Sequence, residues 1–88
     1  MKTHRLKVFI KYADAIMNGT KTFEIRRSDR NFKVGDKVVF DVVANEGYDV
    51  RAAARHPLNG MVYRIDYILD DFKGLAKKYV ALAISKED

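Results

Sequence analysis

Four residues within one short stretch have the types and spacing to do chemistry. They are Gly19, Lys21, Glu24 and Arg26, inside Gly19-Thr20-Lys21-Thr22-Phe23-Glu24-Ile25-Arg26-Arg27. Brought together, the last three offer an ammonium, a carboxylate and a planar guanidinium fork. Such a set can hold a phosphate or a carboxylate while the glutamate reads the edge of a nucleobase. The spacing sets a condition on this. Glu24 and Arg26 share a strand face, but strict alternation turns Lys21 toward Phe23 and away from both. Convergence needs a twist or bulge just after Gly19. Without it, Glu24 and Arg26 make a plain surface ion pair worth ~0–1 kcal/mol.

The elements that must position this stretch are short. Residues His4–Ile10 alternate, with Leu6, Val8 and Ile10 in phase, and predict a first strand. In Lys11–Asn18, Tyr12, Ala15 and Ile16 fall at helical spacing and Gly19 stands where a left-handed cap belongs, so one or two helical turns end there. Thr20–Arg27 alternates again and reads as a second strand, with Phe23 and Ile25 facing the core and Thr22, Glu24 and Arg26 opposite. After the turn chemistry of 28–36, Lys37–Val43 (KVVFDVV) is apolar on nearly every side chain and predicts a central strand. Gly60–Leu69 gives a fourth strand, with Met61, Tyr63, Ile65, Tyr67 and Leu69 on one face. Tyr79–Ser85 gives a fifth. Residues 44–58 lack a clean period and read as a long mobile loop with a helical turn at Arg51–Arg55. Phe40, like Phe23, is expected in the core. Five strands and a short helix predict a mainly β, α+β domain over 1–88, a small β-barrel whose closure removes its edges.

Composition narrows the function. The chain has 88 residues and no cysteine, so a disulfide framework and a thiolate nucleophile are excluded. With only His4 and His56 as imidazole donors, a tetrahedral zinc site is not expected; neither histidine has ligand spacing, and both read as structural or surface residues. No cofactor motif is present. No run approaches the roughly 18 to 20 apolar residues that span a bilayer, and the N-terminus has no signal-peptide pattern, so the chain reads as cytoplasmic with no membrane partner. The net charge of +5 is unevenly placed. Residues 1–37 hold ten Lys or Arg against four Asp or Glu, whereas 38–88 hold seven against eight. A basic segment of this kind suits a phosphate-bearing partner.

The string G-x-K-x-x-E-x-R, present as Gly19, Lys21, Glu24 and Arg26, resembles the signature of ASCH domains, which belong to the PUA-like superfamily of small β-barrels. The flanks agree: His4-Arg5-Leu6-Lys7, the short helix before Gly19, Asn31-Phe32-Lys33-Val34-Gly35-Asp36, Tyr67 to Phe72 and Tyr79-Val80-Ala81-Leu82. They look like a compact ASCH-related family of prokaryotic and phage proteins of unknown function. The resemblance covers nearly the whole chain apart from 44–58. It implies a PUA-like barrel whose cleft, between the short helix and the barrel, takes RNA, a nucleotide or a modified base, with Lys21, Glu24 and Arg26 as its motif residues.

Three readings of the function follow. In the first, the chain binds nucleic acid, with phosphate contacts from Lys11, Lys21, Arg26, Arg27, Arg30 and Lys33 and stacking on Tyr12, Phe32 or, best placed in its polar loop, Tyr48. In the second it is a small hydrolase of RNA or of an acylated nucleoside. The threonine nucleophile that the resemblance implies is replaced here by Glu24, which would serve as general base on a water held near Lys21. In the third it is a protein-interaction module acting through its basic face. The sequence does not decide between enzyme and binding module.

Overall fold

The computed structural model describes residues 1–45, 50–70 and 73–87. Along these run β1 (Thr3–Phe9), α1 (Ile10–Met17), β2 (Phe23–Arg27), β3 (Lys37–Val43), α2 (Val50–Ala54), β4 (Val62–Leu69) and β5 (Tyr79–Lys86). The five strands form one sheet in the order β1-β3-β4-β5-β2, curved into a half-barrel. The β1–β3 pair is parallel and the others are antiparallel. A parallel pair needs a crossover, and residues 10–36 supply it through α1 and β2. The small, mainly β architecture of five strands with short helices is as the sequence predicts, but the sheet stays open as a half-barrel with β1 and β2 at its edges, where closure was expected.

The inner face of the half-barrel is the core. His4, Leu6 and Val8 of β1 point into it, as do Val38, Phe40 and Val42 of β3 and Val80, Leu82 and Ile84 of β5. β3 lies between β1 and β4, and its outward residues Val39, Asp41 and Val43 are themselves half-buried. α1 starts directly from β1, so Ile10 sets its phase. Its buried stripe is Ile10, Ala13 and Ile16 rather than the Tyr12, Ala15 and Ile16 expected from spacing. Tyr12 is left half-exposed.

Two further expectations are corrected. In β4 the register shifts between Ile65 and Tyr67, so Asp66 is an extra residue. A bulge of this kind reverses the phase beyond it. Tyr63 and Ile65 are buried, but Tyr67 and Leu69, expected on the same face as they are, point outward and Ile68 turns to the core. Residues 44–58 read as a mobile loop with a helical turn at Arg51–Arg55; the turn is present as α2, and the described residues from 50 onward are anchored. Ala53 and Leu58 are buried, and the Asn59 amide donates to Ala53 O (2.8 Å) while its oxygen accepts from the Val42 amide (2.7 Å). The Leu58 amide donates to His56 Nδ1 (3.1 Å), which leaves Nε2–H to donate to Asp14 on α1 (2.7 Å).

His4 carries the other buried polar contact of the frame. Its Nε2–H donates to Asp36 Oδ2 at 2.8 Å, and its ring lies 4.7 Å from that of Phe32. The amides of Lys2 and Lys33 also donate to the Asp36 carboxylate, each at 3.1 Å. The His4 bond, chiefly, holds Asp36 below its ordinary value of 3.8; burial opposes it and the two amides add to it. A carboxylate lowered on folding stabilises the native state above its unfolded pKa, and that contribution is lost as pH falls through the folded value. Asp36→Asn is therefore expected to cost about 1.5–3 kcal/mol at pH 7. The difference from the unaltered chain should shrink below about pH 4. Urea titrations at pH 7 and pH 3 measure both.

Candidate functional site

The helix C-terminus builds one wall of the site. Gly19 takes φ +83°, a left-handed turn open to glycine. The turn lets Lys21 N donate back to Ala15 O at 3.0 Å. Lys21 thus stands beside the end of α1, two residues before β2 begins, and strand alternation does not govern it. This meets the condition that the spacing imposed, without a bulge. Lys21 Nζ reaches over to donate to Phe23 O (2.9 Å) and to Glu24 Oε1.

β2 faces the opposite way from the sequence expectation. Its register pairs Glu24 with Leu82 and Arg26 with Val80, and directly paired residues share a side of the sheet. Glu24 and Arg26 therefore face inward, with Glu24 only 6% exposed. Phe23, expected in the core, is 47% exposed, and Ile25 lies outward with it. The carboxylate can face the core because it is compensated on both sides. Lys21 holds Oε1, and two guanidinium nitrogens of Arg26, Nε and Nη2, hold Oε2 at 2.8 Å. Lys21, Glu24 and Arg26 converge.

Arg26 also ties the sheet together. Its Nη2 donates to Lys7 O on the open edge of β1, and Arg30 Nη1 donates to Arg5 O at 3.4 Å. β1 and β2 are the two edge strands, so these side chains bridge the seam where the half-barrel is not closed by a ladder. Beside the seam lies a cavity of about 320 Å³ lined by Lys7, Val8, Phe9, Tyr12, Glu24, Arg26 and Val43. A second, of about 340 Å³, adjoins it between Tyr12, Lys21, Phe23, Glu24 and Ile25. The mouth is aromatic: Phe9, Tyr12 and Phe23 are each exposed by two-fifths or more. Lys21 Nζ lies 5.6 Å from the Tyr12 ring centre and 5.2 Å from that of Phe23, within cation–π range.

The remaining candidates are dispersed. Lys11 lies on the rim, with Nζ 5.8 Å from the Tyr12 ring. Arg27 points outward at the end of β2, on the side away from Glu24. Arg30 lies along the seam with its guanidinium 5.8 Å from the Phe32 ring. Lys33 gives its backbone amide to Asp36, and its side chain is exposed. Phe32 is half-buried against His4. Tyr48 lies outside the described residues. Sequence reasoning missed Phe9 and the backbone edge at Lys7. A signal for Phe9 existed, since it shares its strand phase with Arg5 and Lys7 and so belongs to the outer face. Among the described residues no group of three or more His, Cys, Asp or Glu side chains could hold a metal. No helix among them is long and apolar enough to cross a membrane.

Residues 3–84 match the family described as "Domain of unknown function (DUF3850)". The chain belongs to this family. It is 40% identical over 38 residues to the "Uncharacterized 12.9 kDa protein in GpA 3'region" of Escherichia phage P2, a match spanning 43% of this chain and 35% of the phage protein. The chain thus aligns with about a third of that relative's length. Among solved structures, hypothetical protein PH0355 has a similar fold, with a TM-score of 0.63 and 18% identity over 99% of this chain and all of its own. This likeness is one of fold.

The Lys21–Glu24–Arg26 contacts predict a specific cost. Arg26→Ala strips one side of a buried carboxylate and unties Lys7 O, and is expected to destabilise this DUF3850 domain by about 2–4 kcal/mol. Arg26→Lys should recover only part of this, because an ammonium lacks the fork that spans Glu24 and Lys7. Denaturant unfolding of both variants measures the difference. Faster amide exchange in β1 and β2 should accompany it.

Proposed function

We propose that this DUF3850 chain is a nucleic-acid-binding domain that takes RNA, or a nucleotide or modified base, in the basic cleft between α1 and the β1–β2 seam. One observation carries the reading: a buried glutamate, gripped by a lysine and an arginine, lines two adjoining cavities whose mouth is made of exposed aromatic rings. Aromatic faces stack bases, and the surrounding cations attract phosphate. The likeness of Gly19, Lys21, Glu24 and Arg26 to the ASCH signature supports the same reading and suggests a PUA-like barrel.

Glu24 in this reading is an organiser. Both of its oxygens are occupied by cationic donors, so it fixes the directions of Lys21 and Arg26. The same occupancy argues against hydrolysis, because a general base must have an oxygen aimed at its water. The threonines do not rescue that chemistry. Thr20 Oγ1 is bonded to Asn18 and Ala15 O, Thr22 is exposed, and neither lines the two cavities beside Glu24.

Affinity for single-stranded RNA should depend steeply on salt. With about four phosphates neutralised, the log–log slope is about −3, and affinity falls about fifty-fold between 50 and 200 mM salt. Lys7→Ala and Lys11→Ala, at exposed positions on the rim, should each make the slope shallower by about 0.7. Fluorescence anisotropy with a labelled oligonucleotide reads both. An affinity that is flat across that salt range overturns the proposal.

A further inference from the structure

The outer face of the sheet, opposite the core, carries an apolar surface that the cleft does not use. Its geometry follows from register. Ala83 of β5 lies between Phe23 of β2 and Tyr67 of β4, and Ala81 lies between Ile25 and Leu69. Tyr79 pairs with Arg27 at the end of the same face. Two low alanine positions therefore run down the middle strand, with large side chains standing on either side. Tyr67 is 62% exposed, and Phe23, Ile25, Leu69 and Tyr79 are each exposed by more than a third. From strand spacing, Phe23 and Tyr67 stand about 10 Å apart across the sheet, and the face runs about 13 Å along β2. A surface of this size fits a few bases.

We infer that this face is a stacking platform for single-stranded RNA, receiving the strand as it leaves the cleft; the inference rests on the cleft reading above. Two observations choose this occupant. The first is charge. Lys21 stands over Phe23 at one end, and Arg27 and Lys78 line a hollow beside Tyr79 at the other. Of the acidic groups nearby, Asp66 is engaged by Arg64 and Ser85 and Asp29 by Arg30, while Asp70 lies in the hollow that Lys77, Lys78 and Tyr79 line, where two lysines outnumber it. A second copy docked on the same face would bring its own cations against these, whereas a phosphate backbone complements them. The second is continuity. Phe23 and Ile25 line both the platform and the cavity at Lys21 and Glu24. Ile25 and Tyr79 also border a hollow of about 280 Å³ with Arg26, Arg27 and Arg30 at the seam. Cleft and platform are thus one connected surface. Antiparallel sheets with exposed aromatics stack successive bases in this way.

The test uses two probes, a tri-adenylate, which is too short to span cleft and platform together and is drawn to the cleft by its cations, and a dodeca-adenylate long enough to reach β4 from the cleft. Tyr67 lies two strands from Glu24 on the opposite face of the sheet and is largely exposed, so Tyr67→Ala and Tyr67→Phe should fold as the unaltered chain does, which circular dichroism checks. Tyr67→Ala is expected to weaken the dodecamer about tenfold and leave the trimer unchanged, while Tyr67→Phe retains full affinity for both. Dodecamer affinity equal to that of the trimer, or unaffected by Tyr67→Ala, overturns the platform. So does a dimer in sedimentation equilibrium that Tyr67→Ala converts to monomer while dodecamer binding stays the same, which would make a second copy the occupant. Lys7→Ala separates the two readings: if it leaves trimer binding intact while Tyr67→Ala weakens the dodecamer, the platform stands and the cleft reading falls. Absence of binding to either probe removes both.

Discussion

The carboxylate of Glu24 sits on the core side of a strand, and much of the local architecture follows from compensating it. Removing a carboxylate from water costs several kcal/mol unless charges and hydrogen bonds replace the lost hydration. The replacement comes from two directions. Lys21 is delivered by the left-handed turn at Gly19 and the bond from Lys21 N to Ala15 O. Arg26 follows two residues later on the same face of β2. The guanidinium then donates to Lys7 O, on the edge of β1 that no strand among the described residues pairs with. One buried charge thus links the end of α1, the edge of β2 and the edge of β1.

The same compensation creates the hollow. If β1 and β2 were joined by a backbone ladder, side chains would fill the interior and no cleft would remain at that point. Side chains do the bridging instead, and they hold the edges together while leaving room beside them. The frame around the seam is tied down elsewhere. His4 and Asp36 fix the start of β3 against β1, His56 joins the α2 segment to Asp14 on α1, and Asn59 links α2 to β3. A cleft of fixed shape needs such ties around it, because binding groups act best when a rigid scaffold positions them.

Legibility in the sequence followed the physics of each element. β3 was readable to its limits because its side chains are almost all apolar and the turn at Val34-Gly35 bounds its start, and β1 and β5 were readable because they alternate cleanly. The helix existed where spacing put it, yet its stripe was displaced, since the phase was set by its junction with β1 at Ile10 and spacing alone does not record that. The bulge at Asp66 has no signature in an alternating pattern, so Tyr67 and Leu69 read as sharing a face with Tyr63 and Ile65. Residues 50–59 lacked a period because they are held by single polar anchors, Asn59 and His56, rather than by a ladder. For the site, the identities of Lys21, Glu24 and Arg26 were legible and their orientation was not. Hydropathy ranks Phe23 and Ile25 as the inner pair, and only the register with Leu82 and Val80 shows otherwise.

That reversal has an energetic meaning. Full burial of Phe23 and Ile25 would each contribute roughly 1.5–3 kcal/mol. Leaving both about half exposed forfeits an amount on the order of 2–3 kcal/mol, while the charged group that takes their place on the inner face is at best near neutral for stability. An 88-residue chain buries too little surface to absorb such a loss without consequence. The bulge in β4 adds to it by turning Tyr67 and Leu69 onto the same outer face. Two departures from local patterning, on strands separated by β5, thus converge on one surface and leave it aromatic. Departures of this kind are expected where structure yields to function. The inverted strand is therefore the physical link between the charged cleft and the apolar sheet face: a single choice of orientation for β2 builds the floor of one and the edge of the other.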